Sequence, residues 1–199
     1  MLKETITTYN ELASKYADKH WRTNLLSNEK KEFIKKCVSG KILDAGCGPG
    51  IYTDFLIKKG FNVTSIDLSE GMLKEAKKRV PNGRFYKMSI TNLKFKAKEF
   101  DGIFCSAVFL HLDDREACNS LKEFSRTLRR GGLLFLSTKR GKKETVKVYP
   151  DGTKRFIHFY SKKKIENFVK KAGFFIEESY INLKDPDGDI WICIFARKR

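Results

Sequence analysis

From Lys41 onward the chain alternates short apolar runs with amphipathic stretches, and this alternation constrains its fold more than any other feature. The apolar runs fall at 41–46, 62–67, 84–89, 100–108, 132–138, 174–181 and 190–198. Helix candidates occupy 50–59, 70–80, 114–130 and 161–172 between them. Strands separated by helices at this spacing form βαβ units, which build a mostly parallel sheet with helices on both faces. The run GLLFLST at 132–138 is apolar nearly throughout, as a central strand buried on both faces requires. Only the acidic turn LKDPDGD separates the last two runs, so they read as an antiparallel hairpin at the sheet edge. Ahead of Lys41, Ile6, Tyr9, Leu12, Ala13 and Tyr16 recur at helical spacing, with Phe33, Ile34, Cys37 and Val38 after a polar stretch. Residues 1–38 therefore read as helical. Asp113 or Asp114 can cap a helix ending at Arg130, with Gly131-Gly132 as its stop, and Ser161 can cap the next one, ending near Ala172-Gly173.

The 199 residues suit one domain, and 41% hydrophobic content is enough for one sizeable core. No apolar run approaches the ~20 residues of a membrane span, and MLKETITTYNEL lacks the apolar stretch of a signal peptide. The five cysteines (Cys37, Cys47, Cys105, Cys118, Cys193) are scattered and never spaced C-x-x-C, which encodes neither a disulfide framework nor a thiol metal site. A reducing cytoplasm is the expected compartment. The net charge of +17 raises the prospect of a polyanionic partner, yet the basic residues are spread along the chain, as on a surface kept soluble by self-repulsion.

The residues richest in chemistry are Ile42-Leu43-Asp44-Ala45-Gly46-Cys47-Gly48-Pro49-Gly50. A buried strand runs into a loop with three alternating glycines, and a helix begins just after it. Glycines let the backbone turn sharply and approach a ligand closely, while the helix start presents unpaired N–H groups that attract an anion. A dinucleotide fingerprint, G-x-G-x-x-G, has two residues before its third glycine; here there is one. No G-x-x-x-x-G-K-[ST] occurs, which disfavours a nucleotide triphosphatase.

The stretch D-A-G-C-G-P-G resembles motif I of the class I S-adenosylmethionine-dependent methyltransferases, and three further segments follow in the family's order. They are 66–73 (IDLSEGML), 100–112 (FDGIFCSAVFLHL) and 128–137 (LRRGGLLFLS). The resemblance implies a Rossmann-like methyltransferase fold: a seven-stranded, mostly parallel sheet with an antiparallel last strand. It implies S-adenosylmethionine as cofactor, with main chain at Gly46, Cys47, Gly48 and Gly50 against the aminocarboxypropyl end. Asp44 falls where the family uses an acid near the ammonium, and Asp67 where it accepts from the ribose hydroxyls. Leu68 and Met72 would sandwich adenine. Ser89 stands where the family often has Asp, beside the available Ile90 N–H, and Cys105 lines the floor rather than acting as nucleophile. The N-terminal helical segment, 1–38, corresponds to a lid. Its Tyr16 either closes on the methionine moiety or packs the helix to the core.

Methyl transfer is an in-line displacement, and an acceptor already present as carboxylate, thiolate or neutral amine needs no base. A hydroxyl acceptor does. His111, just past the fourth strand, is the candidate, either as base or as a group orienting its own loop. The insertion at 139–161 supplies the other substrate wall, its segments 146–149 and 155–159 pairing as a hairpin around Pro150-Asp151-Gly152. Within it, Arg155-Phe156-Ile157-His158-Phe159-Tyr160 is similar to a stretch in methyltransferases that esterify a carboxymethyl group on tRNA wobble uridine. Arg155, His158 and Tyr160 are the substrate candidates, although Arg155 suits a hairpin ion pair equally well. The expected acceptor is a small molecule, with tRNA as the alternative. The glycine spacing argues against an NAD(P)-dependent oxidoreductase, and the intact loop-and-Asp67 set against a non-catalytic nucleic-acid-binding module.

Overall fold

A computed structural model describes residues 2–21, 26–37, 40–142, 145–148, 152–182 and 188–199. Two helices, α1 (Leu2–Trp21) and α2 (Ser27–Lys36), precede the alternating part of the chain. There β1 (Lys41–Ala45), α3 (Ile51–Lys58), β2 (Asn62–Asp67), α4 (Glu70–Arg79), β3 (Arg84–Lys87), β4 (Phe100–Ser106) and α5 (Asp114–Thr127) lead into β5 (Leu128–Lys139). A two-stranded ribbon, β6 (Thr145–Val148) with β7 (Lys154–Ile157), then α6 (Lys162–Lys171), β8 (Phe174–Asn182) and β9 (Trp191–Lys198) complete the chain. The main sheet has seven strands in the order β3-β2-β1-β4-β5-β9-β8, with β9 antiparallel to both its neighbours and the other six strands running one way. This is the mixed sheet the sequence implied. The Pro150-Asp151 part of the expected ribbon turn, Tyr149, Val38 and most of the acidic turn at 183–189 lie outside the described residues.

Strand alternation sorts the apolar side chains onto two faces. Ile42, Phe104, Leu133, Phe135, Cys193 and Phe195 meet α2 and α3 through Phe33 and Leu56. Leu43, Ile103, Cys105, Leu134, Leu136 and Ile194 meet α5 and α6 through Leu121, Phe124, Ile165 and Val169. Removing one of these large side chains leaves a cavity, at about 2–5 kcal/mol each.

One expected boundary is corrected. The helix capped at Asp113 stops at Thr127, not at Arg130, and β5 begins at Leu128. Asp113 is the cap, in a reciprocal capping box with Glu116. Buried Leu128 pairs with Phe100 ahead of an irregularity, since the next pair is Gly102 with Leu133. Residues 129–132 therefore loop out of register, with Gly131 at φ +74°. Arg126 fixes the helix end by holding the carbonyls of Leu93 and Phe95.

Helix α1 spans from α4 to the ribbon. Asn10 Oδ1 accepts from Ser69 Oγ at 2.8 Å and from Gly71 N at 3.0 Å, capping α4 from outside. At the other end, Thr8 donates to the Lys154 carbonyl and Thr5 accepts from Phe156 N. Gly71 permits the close approach: a Cβ there would stand 2.6 Å from the Asn10 carbonyl oxygen and 2.8 Å from its Cα. Gly71→Ala is expected to cost about 1–3 kcal/mol by overpacking a backbone contact. Limited proteolysis should then cut α1 first; unchanged melting and protection would show that α1 shifts freely.

Candidate active site

A cavity of about 790 Å³ opens at the carboxyl ends of the parallel strands, on the side where the strand order reverses between β1 and β4. In an open α/β sheet this crevice is where ligands bind. Its walls come from the segments after β1 (Gly46–Pro49), β2 (Asp67–Ser69), β3 (Met88–Ile90) and β4 (Ser106–Val108), with α1 alongside. Ala107 holds a left-handed backbone at φ +57°, unusual for a residue with a Cβ. Its N–H donates to Ser137 Oγ at 3.1 Å, which ties this turn to β5.

The bend after β1 is bound to the end of β2. Gly46 N and Cys47 N both donate to the Ile66 carbonyl, at 2.8 and 2.9 Å, and Gly48 N donates to Asp67 Oδ2 at 2.9 Å. Asp67 Oδ1 accepts from Ser69 N at 2.8 Å, so each carboxylate oxygen keeps lone-pair capacity for a further donor. Burial pushes the Asp67 carboxyl above the usual range, against these backbone bonds. Gly48 lies at φ +52°, and a Cβ placed on it meets no protein atom within 4 Å. That space belongs to the cavity. Leu68, Met72 and Ile90 supply an apolar slot beside it, with Ser89, whose hydroxyl is turned to Thr91 at 2.8 Å. A carboxylate for two hydroxyls, an apolar slot and an open glycine bend fit the nucleoside of S-adenosylmethionine.

The opposite wall carries Tyr9, His111, Lys139 and Arg155. His111 Nδ1 lies 3.0 Å from the Phe156 carbonyl, which can only accept, so this nitrogen bears the proton. Nε2 therefore accepts from the Tyr9 hydroxyl, 3.0 Å away. Burial pushes the His111 imidazole down to about 4, and the charges of Arg155 and Lys139 act in the same direction. The Arg155 guanidinium stacks 5.1 Å from the centre of the Tyr9 ring. Lys139 is paired with Asp189 at 2.5 Å, and Lys147 shares that carboxylate at 2.9 Å.

The model of the Methyltransferase domain family matches residues 43–136, the stretch that builds the bend, Asp67 and the floor. That stretch forms a methyltransferase domain similar to those of the class I S-adenosylmethionine-dependent methyltransferases. It is 37% identical over 97 residues to the malonyl-[acyl-carrier protein] O-methyltransferase of Hamiltonella defensa, a match covering 49% of this chain and 37% of that protein. The match to the ubiquinone/menaquinone biosynthesis C-methyltransferase UbiE of Campylobacter jejuni is 28% identical and covers 89% of this chain and 85% of that protein. Among solved structures, the 1,6-didemethyltoxoflavin-N1-methyltransferase of Burkholderia thailandensis shares the fold, with a TM-score of 0.73 at 18% identity over 97% of this chain and 87% of that one.

Of the residues singled out in the sequence of this methyltransferase, Tyr16, Gly46, Cys47, Gly48, Asp67, Leu68, Met72, Ser89, Ile90, His111 and Arg155 line the cavity. Five others do not. Asp44 lies behind the bend, its Oδ2 accepting from Thr53 Oγ1 at 2.6 Å. Gly50 backs onto Ala76 and Val80 of the α4 segment. Cys105 is a core side chain, and burial pushes its thiol well up. His158 turns outward to Asp114, with Nε2 at 3.1 Å from Oδ1, and Tyr160 donates to the Leu112 carbonyl from full burial. The ribbon turns its alternate residues to opposite sides, which brings Arg155 to the cavity while the chain past Ile157 leaves it. Sequence reasoning missed Lys139, Asn182 and Trp191, which join the wall through the pairing of β5, β9 and β8, and Glu29, which reaches it from α2. Among the described residues no helix is long and apolar enough to cross a membrane, and no group of three His, Cys, Asp or Glu is placed to hold a metal ion.

Burial pushes the Asp44 carboxyl up to about 7, with the Asp67 charge adding to the shift and the Thr53 hydrogen bond opposing it. In the unfolded chain the group ionises near 4, so between about pH 4 and 7 the folded state holds a proton that the unfolded state has released. Stability from this group is therefore complete below pH 4 and falls as pH rises to 7. Asp44→Asn is expected to remove that fall, by an amount on the order of a few kcal/mol. Denaturant titrations at pH 4.5 and 7.5 measure it, and parallel losses in both proteins would show that Asp44 ionises normally.

Proposed function

We propose that this methyltransferase acts on a small-molecule acceptor, held against Tyr9, Lys139 and Arg155 while the cofactor's nucleoside lies at Asp67. The size of the cavity carries this reading: a volume of about 790 Å³ accommodates the cofactor with a compact partner, and α1 crosses beside it from α4 to the ribbon. The two relatives above are named for malonyl-[acyl-carrier protein] and for ubiquinone/menaquinone biosynthesis, which supports a compact acceptor group over a polymer. The likeness to tRNA-modifying enzymes runs through Arg155, His158 and Tyr160, of which Arg155 alone faces the cavity.

When bound, S-adenosylmethionine supplies a methyl group on a positively charged sulfur. In this proposal Asp67 accepts from the ribose hydroxyls, Leu68, Met72 and Ile90 hold the adenine, and the Gly46–Gly48 main chain meets the amino-acid end. Tyr16 and α1 exclude water, and Arg155 meets the acceptor. His111, bonded at both nitrogens and kept neutral, holds Tyr9 in place rather than taking a proton. Positioning of this kind supplies roughly 7–11 kcal/mol when both reactants are well held.

Methyl-labelled cofactor incubated with cell extract, then split into RNA, protein and small-molecule fractions, tests the acceptor. Label is expected among the small molecules; label confined to RNA overturns the reading. Asp67→Ala is expected to weaken S-adenosylhomocysteine binding by about 1–3 kcal/mol, because ribose hydroxyls lose their acceptor. Calorimetry showing unchanged affinity would remove Asp67 from the site.

A further inference from the structure

The cavity wall holds one more charged group, and the sequence pattern gives no hint of it. Glu29, in the first turn of α2, is only 3% exposed yet lines the cavity. Its Oε1 accepts from the Tyr180 hydroxyl at 3.1 Å and from Asn182 Nδ2 at 2.9 Å, with the Cys193 thiol at 3.9 Å. Oε2 takes no donor among the described residues, and none of their Lys, Arg or His side chains forms an ion pair with Glu29. Burying a carboxylate without a cation is costly, and neutral donors on one oxygen offset only part of that cost. An acid secured on one oxygen, open on the other and set in a cavity wall is arranged for a cationic ligand.

Position decides which cation. Tyr180 and Asn182 belong to β8, so Glu29 lies toward the β9–β8 side of the sheet, whereas Asp67 and Ser89 end β2 and follow β3 on the other side. Glu29 shares the cavity lining with Tyr52, which stands in the first turn of α3 directly after the glycine bend. A cofactor with its nucleoside at Asp67 extends its amino-acid end along that bend toward Tyr52 and Glu29. The sequence placed Asp44 in the role of ammonium partner, but Asp44 is closed off behind Thr53 and does not line the cavity.

We propose that Glu29 is the carboxylate that holds the α-ammonium of S-adenosylmethionine. The proposal rests on the cofactor site described above and assigns that site's cationic end to α2. It makes affinity depend on the cofactor's amino group through one residue. Calorimetry compares S-adenosylhomocysteine with its deaminated analogue, 5′-S-(3-carboxypropyl)-5′-thioadenosine, which keeps the carboxylate and lacks the amine. The wild-type protein is expected to prefer S-adenosylhomocysteine by roughly tenfold or more, the size a charge-assisted hydrogen bond supports. In Glu29→Gln, which keeps the side-chain shape and an acceptor for Tyr180 and Asn182, the ratio should fall to near one while the deaminated ligand binds as before. Glu29→Asp should keep part of the preference. A ratio unchanged in Glu29→Gln overturns the proposal, and so does a wild-type ratio near one, which requires no variant to fold. Failure of the wild-type protein to bind either ligand would instead remove the cofactor site itself.

Discussion

Two acceptors at the end of β2 hold the active-site bend in shape. The Ile66 carbonyl takes the N–H groups of Gly46 and Cys47, and the Asp67 carboxylate takes that of Gly48 together with that of Ser69. The position of the bend after β1 is thus set by the neighbouring strand, and the same carboxylate sets the start of α4. This arrangement separates the loop from phosphate-cradling glycine loops, whose N–H groups point at the ligand. A bend whose N–H groups are bonded inside the protein has little to offer a phosphate. It suits a cofactor that has none, and whose charged centres are a sulfonium, an ammonium and a carboxylate.

The cavity is lined by charges of both signs, Glu29 and Asp67 with Lys19, Lys139 and Arg155. The chain is strongly basic, yet Asp67 and Glu29 mark the two ends of the site proposed for the cofactor. The cations of the acceptor wall are restrained: Lys139 is paired to Asp189, and Arg155 is stacked on Tyr9. Many of the remaining basic residues are paired at the surface, such as Lys36 with Glu178 at 2.7 Å and Arg129 with Asp101 at 2.6 Å. Exposed pairs of this kind add little stability.

Local signals made much of the fold legible. Short apolar runs located the strands of the main sheet, a capping Asp at 113 or 114 marked the start of α5, and the spacing of Gly46, Gly48 and Gly50 separated this bend from a dinucleotide loop. What escaped was set by contacts distant along the chain. Leu128 reads as the continuation of α5, and only its pairing with Phe100 makes it the first residue of β5. Asp44 and Asp67 both end or nearly end buried strands, but one points behind the bend and the other into the cavity, a choice made by strand register. Glu29 resembles any acidic residue in a helical first turn until Tyr180 and Asn182, about 150 positions away, bury it. His158 and Tyr160 share a short stretch with Arg155, yet the stretch leaves the cavity wall after Ile157.

The acceptor wall also bears on how the proton of an acceptor would be handled. The chain of donors ends at the Phe156 carbonyl, which fixes the direction of every bond before it: His111 donates there, and Tyr9 donates to His111. The Tyr9 oxygen can then only accept from any further group, including an acceptor's own N–H or O–H. If His111 served as a base for a phenol of ordinary acidity, the proton would move uphill, because burial holds the imidazole well below its ordinary value. The same wall asks nothing of the kind from a nucleophile that arrives as an anion or a neutral amine. A buried, doubly bonded imidazole beside two cations is poorly made to take a proton and well made to keep a tyrosine still.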